Sequence, residues 1–220
     1  MDAEGVDEIW CLGDTVGYGP RPNRCCAVVA DRASLVLAGN HDLAVTGALA
    51  VDEFNGDAAA AVRWTRQVLE PDPRAFLESL APSATRPGVE LFHGSPVDPV
   101  WDYVLSEAAA YLSFRLTKAP LVLVGHSHVA LALSWDGADL GGGVAQHGAE
   151  VELGAGRRLL NPGSVGQPRG GDPRASWLVV DDGARRATFR RTAYPIEQTQ
   201  AEIRARGLPE ALAERLAHGV

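Results

Sequence analysis

Lysine is nearly absent from the 220 residues: Lys118 stands alone, and arginine carries almost all the positive charge. The net charge is −8 and no stretch is strongly basic. The chain thus lacks the positive stripe that faces a phosphate polymer, which argues against a nucleic-acid partner. A small phosphate ester is not excluded, because bound cations would set the local field whatever the net charge. Long apolar runs are missing too. None approaches the ~18–20 residues that span a bilayer, so no membrane association is expected.

Cysteine is scarce as well. Cys11, Cys25 and Cys26 form an odd set with two members adjacent, unlike a secreted disulfide framework. The opening Met1-Asp2-Ala3-Glu4 is acidic and has neither the basic nor the apolar region of a signal peptide. Reduced thiols and a cytoplasmic setting are expected. What remains is an ordinary globular balance, 46% apolar and 22% charged. A chain of this length folded as one domain hides roughly 70% of its unfolded surface and needs no covalent staples.

Along the chain, Val6 to Leu12 reads as a strand that stops at Gly13-Asp14, and Arg24 to Arg32 as a helix. Leu35 to Ala38 is a short apolar strand before Gly39-Asn40-His41-Asp42. Asn55 to Leu80 has a helical pattern interrupted at Pro71 and Pro73. Val89 to Phe92 and Leu121 to Val124 are further strands, with a helix at Glu107 to Leu116 between them. Short strands then follow at Val129 to Trp135, Ala149 to Leu153, Arg157 to Leu160, Ala175 to Val180 and Ala187 to Ala193. Gly141-Gly142-Gly143 reads as a flexible hairpin tip. Helices close the chain at Ile196 to Gly207 and Glu210 to Leu216.

Four apolar strands therefore end in Gly-containing loops bearing Asp14, Asn40-His41-Asp42, His93, and His126-Ser127-His128. In α/β sheets, ligands gather at the carboxyl ends of strands. A mixture of carboxylate, amide oxygen and imidazole suits manganese, iron, cobalt, nickel or zinc better than calcium. Two cations about 3.5–4 Å apart need a negative oxygen between them, and Asp14 is the natural bridge.

Gly13-Asp14, Gly39-Asn40-His41-Asp42, His93-Gly94 and Gly125-His126-Ser127-His128 resemble, in order, the motifs of the calcineurin-like metallophosphoesterases. Ile9 to Pro20 and Asn161 to Arg169 are similar to signatures of the small bacterial and archaeal phosphodiesterase branch. The resemblance implies a four-layer α/β/β/α sandwich over a single domain, residues 1–220. It also implies two divalent ions, with manganese expected and iron, cobalt, nickel or zinc as alternatives. Asp14 would bridge the ions; Asn40, His93 and His126 would complete one shell, and His128 would serve the other. His41 would act at the leaving oxygen, and a metal-held hydroxide would attack phosphorus in line. Ser164 and Arg169 have two readings: contacts to the substrate phosphate, or a turn packed against the metal loops. Tyr18 either shapes the pocket or packs within its loop. His147 and His218 are expected to be exposed.

Two departures from the family pattern stand out. Its opening strand ends in Asp-x-His, and a strand, its loops and a helix need roughly 25–30 residues. Only Met1 to Gly5 precede the first predicted strand here, so the sequence is expected to be N-terminally incomplete, lacking that strand and helix. The protein-phosphatase branch also carries an aspartate three residues after the bridging one, where this chain has Gly17. The expected activity is hydrolysis of small phosphate esters, diesters ahead of monoesters. A phosphomonoesterase, a dinucleoside polyphosphate hydrolase and a non-catalytic scaffold of the same fold are the alternatives. The sequence leaves the oligomeric state open.

Overall fold

The computed structural model describes residues 5–154 and 156–220; the acidic opening Met1–Glu4, read above for a leader, lies outside the described residues. The order begins β1 (Trp10–Cys11), α1 (Pro22–Arg32), β2 (Leu35–Val36), α2 (Asn40–Thr46), α3 (Gly56–Val68), α4 (Pro71–Glu78), β3 (Ser83–Arg86) and β4 (Val89–Phe92). It continues with α5 (Glu107–Leu116), β5 (Leu121–Val124), β6 (Ala130–Trp135), β7 (Leu140–Val144), β8 (Glu150–Glu152) and β9 (Arg157–Pro162). The last elements are β10 (Ala175–Asp181), β11 (Arg186–Thr192), α6 (Ile196–Ala205) and α7 (Glu210–Glu214). The fold is mixed α/β, as expected. No helix among the described residues is long and apolar enough to cross a membrane.

The chain divides into two compact units, one running to Pro82 and taking in Pro195–Ala217, the other Ser83–Tyr194 with His218–Val220. In the first, β1 and β2 pair in parallel, Trp10 opposite Leu35 and Cys11 opposite Val36. Both strands are shorter than their apolar runs, because a two-stranded parallel pair offers few ladder bonds; Leu37 N–H adds one to Cys11 C=O at 2.9 Å. Pro22 opens α1, where its missing N–H costs nothing and its φ is already set. The helical pattern from Asn55 splits where the prolines foretell: α3 ends at Val68 and Pro71 begins α4. Asn55 caps α3, its Oδ1 accepting Ala58 N–H at 3.0 Å. Helix α3 is buried on two sides. Val62 packs with Val16, Cys26, Val45 and Leu77, and Ala61 with Ile203, Leu208 and Leu212.

The second unit holds a six-stranded sheet in the order β3-β4-β5-β9-β6-β7 and a three-stranded sheet β10-β11-β8. Strands β4, β5 and β9 run parallel, and all four residues of β5 are buried, as a continuous Leu-Val run demands. Helix α5 covers this sheet through Ala110 and Phe114, which meet Val122, Val124 and Leu159. Gly141-Gly142-Gly143 is not a hairpin tip. These residues form β7, antiparallel to β6 from Leu131 to Trp135. A side chain on Gly142 would run into the Ala132 carbonyl, so the glycine permits close pairing of the strands.

Candidate metal centre

In the first unit, parallel pairing of β1 and β2 puts their carboxyl ends side by side, with Asp14 after one and Asn40 and His41 after the other. The two loops are tied directly: His41 N–H donates to Asp14 Oδ1 at 3.0 Å. A side chain on Gly39 would strike the Asp14 carboxylate and backbone, so only glycine lets them approach. Asp42 is wholly buried and accepts N–H bonds from Gly39 at 2.9 Å, Val16 at 3.1 Å and Thr15 at 3.2 Å. Burial and then the nearby charge of Asp14 lift its carboxyl well above the usual carboxylate range, against the pull of those three donors. Asp42 thus fastens the Asp14 loop to α2. It was quoted in the sequence motif, but a buried fastener and a ligand look alike there. Cys11 nearby is a packing thiol, pushed up to about 11 by burial.

In the second unit, Phe92 of β4 lies opposite Val124 of β5, which sets His93 and His126 together just past the strand ends. His93 Nε2 is 3.2 Å from His126 Nδ1. The other nitrogen of His126 donates to the Trp101 carbonyl at 3.2 Å. A carbonyl only accepts, so Nε2 carries the proton and Nδ1 is left bare as a donor atom. Burial first, and the His93 imidazole second, push the His126 pKa down to about 3, which keeps the ring in the neutral, ligating form. His128 follows the same rule, its Nδ1–H bonding the Gln167 carbonyl at 2.8 Å, so Nε2 is the unprotonated nitrogen of the neutral ring. Two imidazole nitrogens each ~2.0–2.1 Å from one cation lie about 3.0–3.4 Å apart, so the observed His93–His126 spacing fits a shared ion.

The backbone here is unusual. Asp14, His126 and His128 have φ of 54°, 59° and 60°, left-handed values that non-glycine residues seldom adopt. Such positions cluster at functional sites.

Residues that the sequence did not single out shape this half. Tyr103 stacks on His126 with ring centroids 4.1 Å apart and planes 13° off parallel. Asn161 Nδ2 donates to Gly125 C=O at 2.6 Å and Ser127 Oγ at 3.0 Å. Asn161 stood within the quoted Asn161–Arg169 stretch; Tyr103 had no motif to mark it. Ser164 Oγ accepts the Gln167 N–H at 3.0 Å, and Arg169 Nη2 donates to Gln167 Oε1 at 2.7 Å. His147 and His218 are exposed, as expected.

The model of the calcineurin-like phosphoesterase superfamily domain matches residues 1–183. The chain belongs to that superfamily. A metallophosphoesterase from Sphaerobacter thermophilus, solved as a crystal structure, is 43% identical, with a TM-score of 0.91 over 100% of this chain and 91% of that one. The uncharacterized protein MJ0912 of Methanocaldococcus jannaschii is 34% identical over 96% of this chain and 86% of its own length. The hypothetical protein PH1004 from Pyrococcus horikoshii shares the fold at 20% identity, with a TM-score of 0.76 over 100% of this chain and 88% of that one. Membership of the calcineurin-like superfamily carries metal-dependent hydrolysis of phosphoesters, and the donors described above are of the types such chemistry requires.

Proposed function

We propose that the chain hydrolyses small phosphodiesters at a dinuclear divalent-metal centre, with manganese as the expected ion, and that residues 1–220 act as one metallophosphoesterase domain. The observation that carries this is the pair of fixed imidazoles: His126 and His128 each have one nitrogen tied to a backbone carbonyl, the arrangement that orients a metal-binding histidine. By the order of the family motifs, Asp14 would be shared by both ions, Asn40, His93 and His126 would hold one, and His128 would serve the other. Bound cations would supply acidified water and neutralise charge on the phosphoryl oxygens.

The protein's own groups do the rest. By the family motif, His41 would deliver a proton to the leaving oxygen. Arg169 adds positive charge to the His126 surroundings, which supports a role in binding the substrate phosphate. Ser164 accepts at its oxygen within the turn but keeps its own O–H to donate. The contacts of these two residues are also those of a packed turn, so their variants decide between the readings. Free Cys11, Cys25 and Cys26 support a cytoplasmic setting.

The test is a panel of nitrophenyl mono- and diesters with added Mn²⁺, together with bound metal per chain. With alkyl diesters added to the panel, turnover that falls at least ~10²-fold in His41→Ala for alkyl leaving groups, and much less for nitrophenyl ones, supports the reading. Faster turnover of monoesters would overturn the diester preference. Stoichiometric metal with no turnover of any ester would favour a scaffold instead.

A further inference from the structure

In the protein-phosphatase branch a carboxylate orients the histidine beside the leaving oxygen. Here its place is Gly17, and a side chain built on Gly17, whose φ is +125°, would overlap the His41 ring itself. The imidazole fills that space, so other groups must hold its other sides. Two aromatic rings do. The Tyr18 ring lies 4.1 Å from the His41 ring at 50°, and Phe54 meets it edge-on at 4.9 Å and 69°. His41 is only 2% exposed.

Each ring is anchored separately. Phe54 packs on the cluster of Val16, Ala44 and Val45, and its N–H closes a turn on Val51 C=O at 3.1 Å. Tyr18 packs on the other cluster, with Ala61 and Leu212. The imidazole is therefore gripped by rings seated on two different apolar cores. A carboxylate partner orients an imidazole and also stabilises its charged form. Aromatic rings fix its position by shape and dispersion, without adding a negative charge.

Building on the proposed role of His41, we infer that Tyr18 and Phe54 are positioning residues that clamp this histidine between two apolar clusters. The test pairs turnover with a spectroscopic signature. On the Mn²⁺-loaded full chain, Tyr18→Leu and Phe54→Leu are expected to lower kcat roughly 10- to 100-fold for diesters with alkyl leaving groups. The loss should be much smaller for nitrophenyl leaving groups, which need little proton assistance, and KM should stay within about twofold. Tyr18→Phe keeps the ring and should hold kcat within about twofold. In a His41→Ala background, Tyr18→Leu should add almost nothing, because the clamp has lost its object.

Proton NMR of the metal-free chain gives the second reading. His41 ring signals should be displaced by the neighbouring rings in the wild type and in Tyr18→Phe, and should move back in both leucine variants. With an active wild type, an undiminished loss in the His41→Ala background, an effect on KM alone, or unmoved ring signals would overturn the clamp. A wild type with no turnover on any ester would sink the hydrolase reading, and with it the catalytic purpose of the clamp.

Discussion

Gly17 and Gly39 are the positions where an added side chain would strike His41 and Asp14 directly. Gly17→Asp would write in the carboxylate that the protein-phosphatase branch carries. On this backbone, however, the new side chain starts inside the imidazole, at a φ that disfavours any residue but glycine. The expected outcome is a protein destabilised by about 1–3 kcal/mol with a displaced His41, read as a lower thermal midpoint and reduced turnover. The ligand-type residues were legible in the sequence because the motifs fix both their identity and their order. Their supports were not. The Trp101 and Gln167 carbonyls act through backbone atoms, and no side-chain pattern advertises a carbonyl. Tyr103 meets His126 across a turn whose path the sequence does not specify.

Among the elements, β4, α5 and β5 coincide with their apolar and amphipathic runs, because buried parallel strands and a covering helix need unbroken patterns. Helix α2 and strands β3 and β7 were not anticipated. Helix α2 is seven residues long and opens on the site motif itself, so its residues read as loop chemistry. Strand β3 is mostly exposed and has no apolar face to betray it. Strand β7 is held by its partner, with Gly142 opposite Leu133. Gly142→Val, a change toward higher strand propensity, should therefore destabilise the protein by about 1–3 kcal/mol. Denaturant unfolding measures the loss, and metal content per folded chain should be unchanged.

For the molecule as a whole, one contribution to acid stability comes from a cluster in the second unit. Arg174 bonds Asp172 through Nη2 at 2.6 Å, and Arg191, its side chain 3% exposed, reaches the same carboxylate at 3.3 Å. Gly171 N–H ties this turn to Gly219 C=O at 3.0 Å. The Arg174 hydrogen bonds, with help from the charge of Arg191, hold the Asp172 carboxyl at about 2, below its ordinary 3.8. A carboxyl depressed on folding stabilises the protein above its unfolded value, and that contribution is lost as pH falls through the folded one. The wild type should thus lose stability between about pH 4 and pH 2 more steeply than Asp172→Asn. At neutral pH the variant should be weaker by about 0.5–1.5 kcal/mol, less than the full shift would give because Asp172 is partly solvated. Unfolding followed across pH for both proteins checks each statement.

The left-handed backbone at Asp14, His126 and His128 has a consequence for how the chain can change. Each of these residues sits in a conformation costing about 1–2 kcal/mol that glycine would relieve. Under the proposed function, heat resistance and cation capture would therefore pull these three positions in opposite directions. A lineage pressed only to survive higher temperature would find its easiest relief by erasing the side chains proposed as ligands.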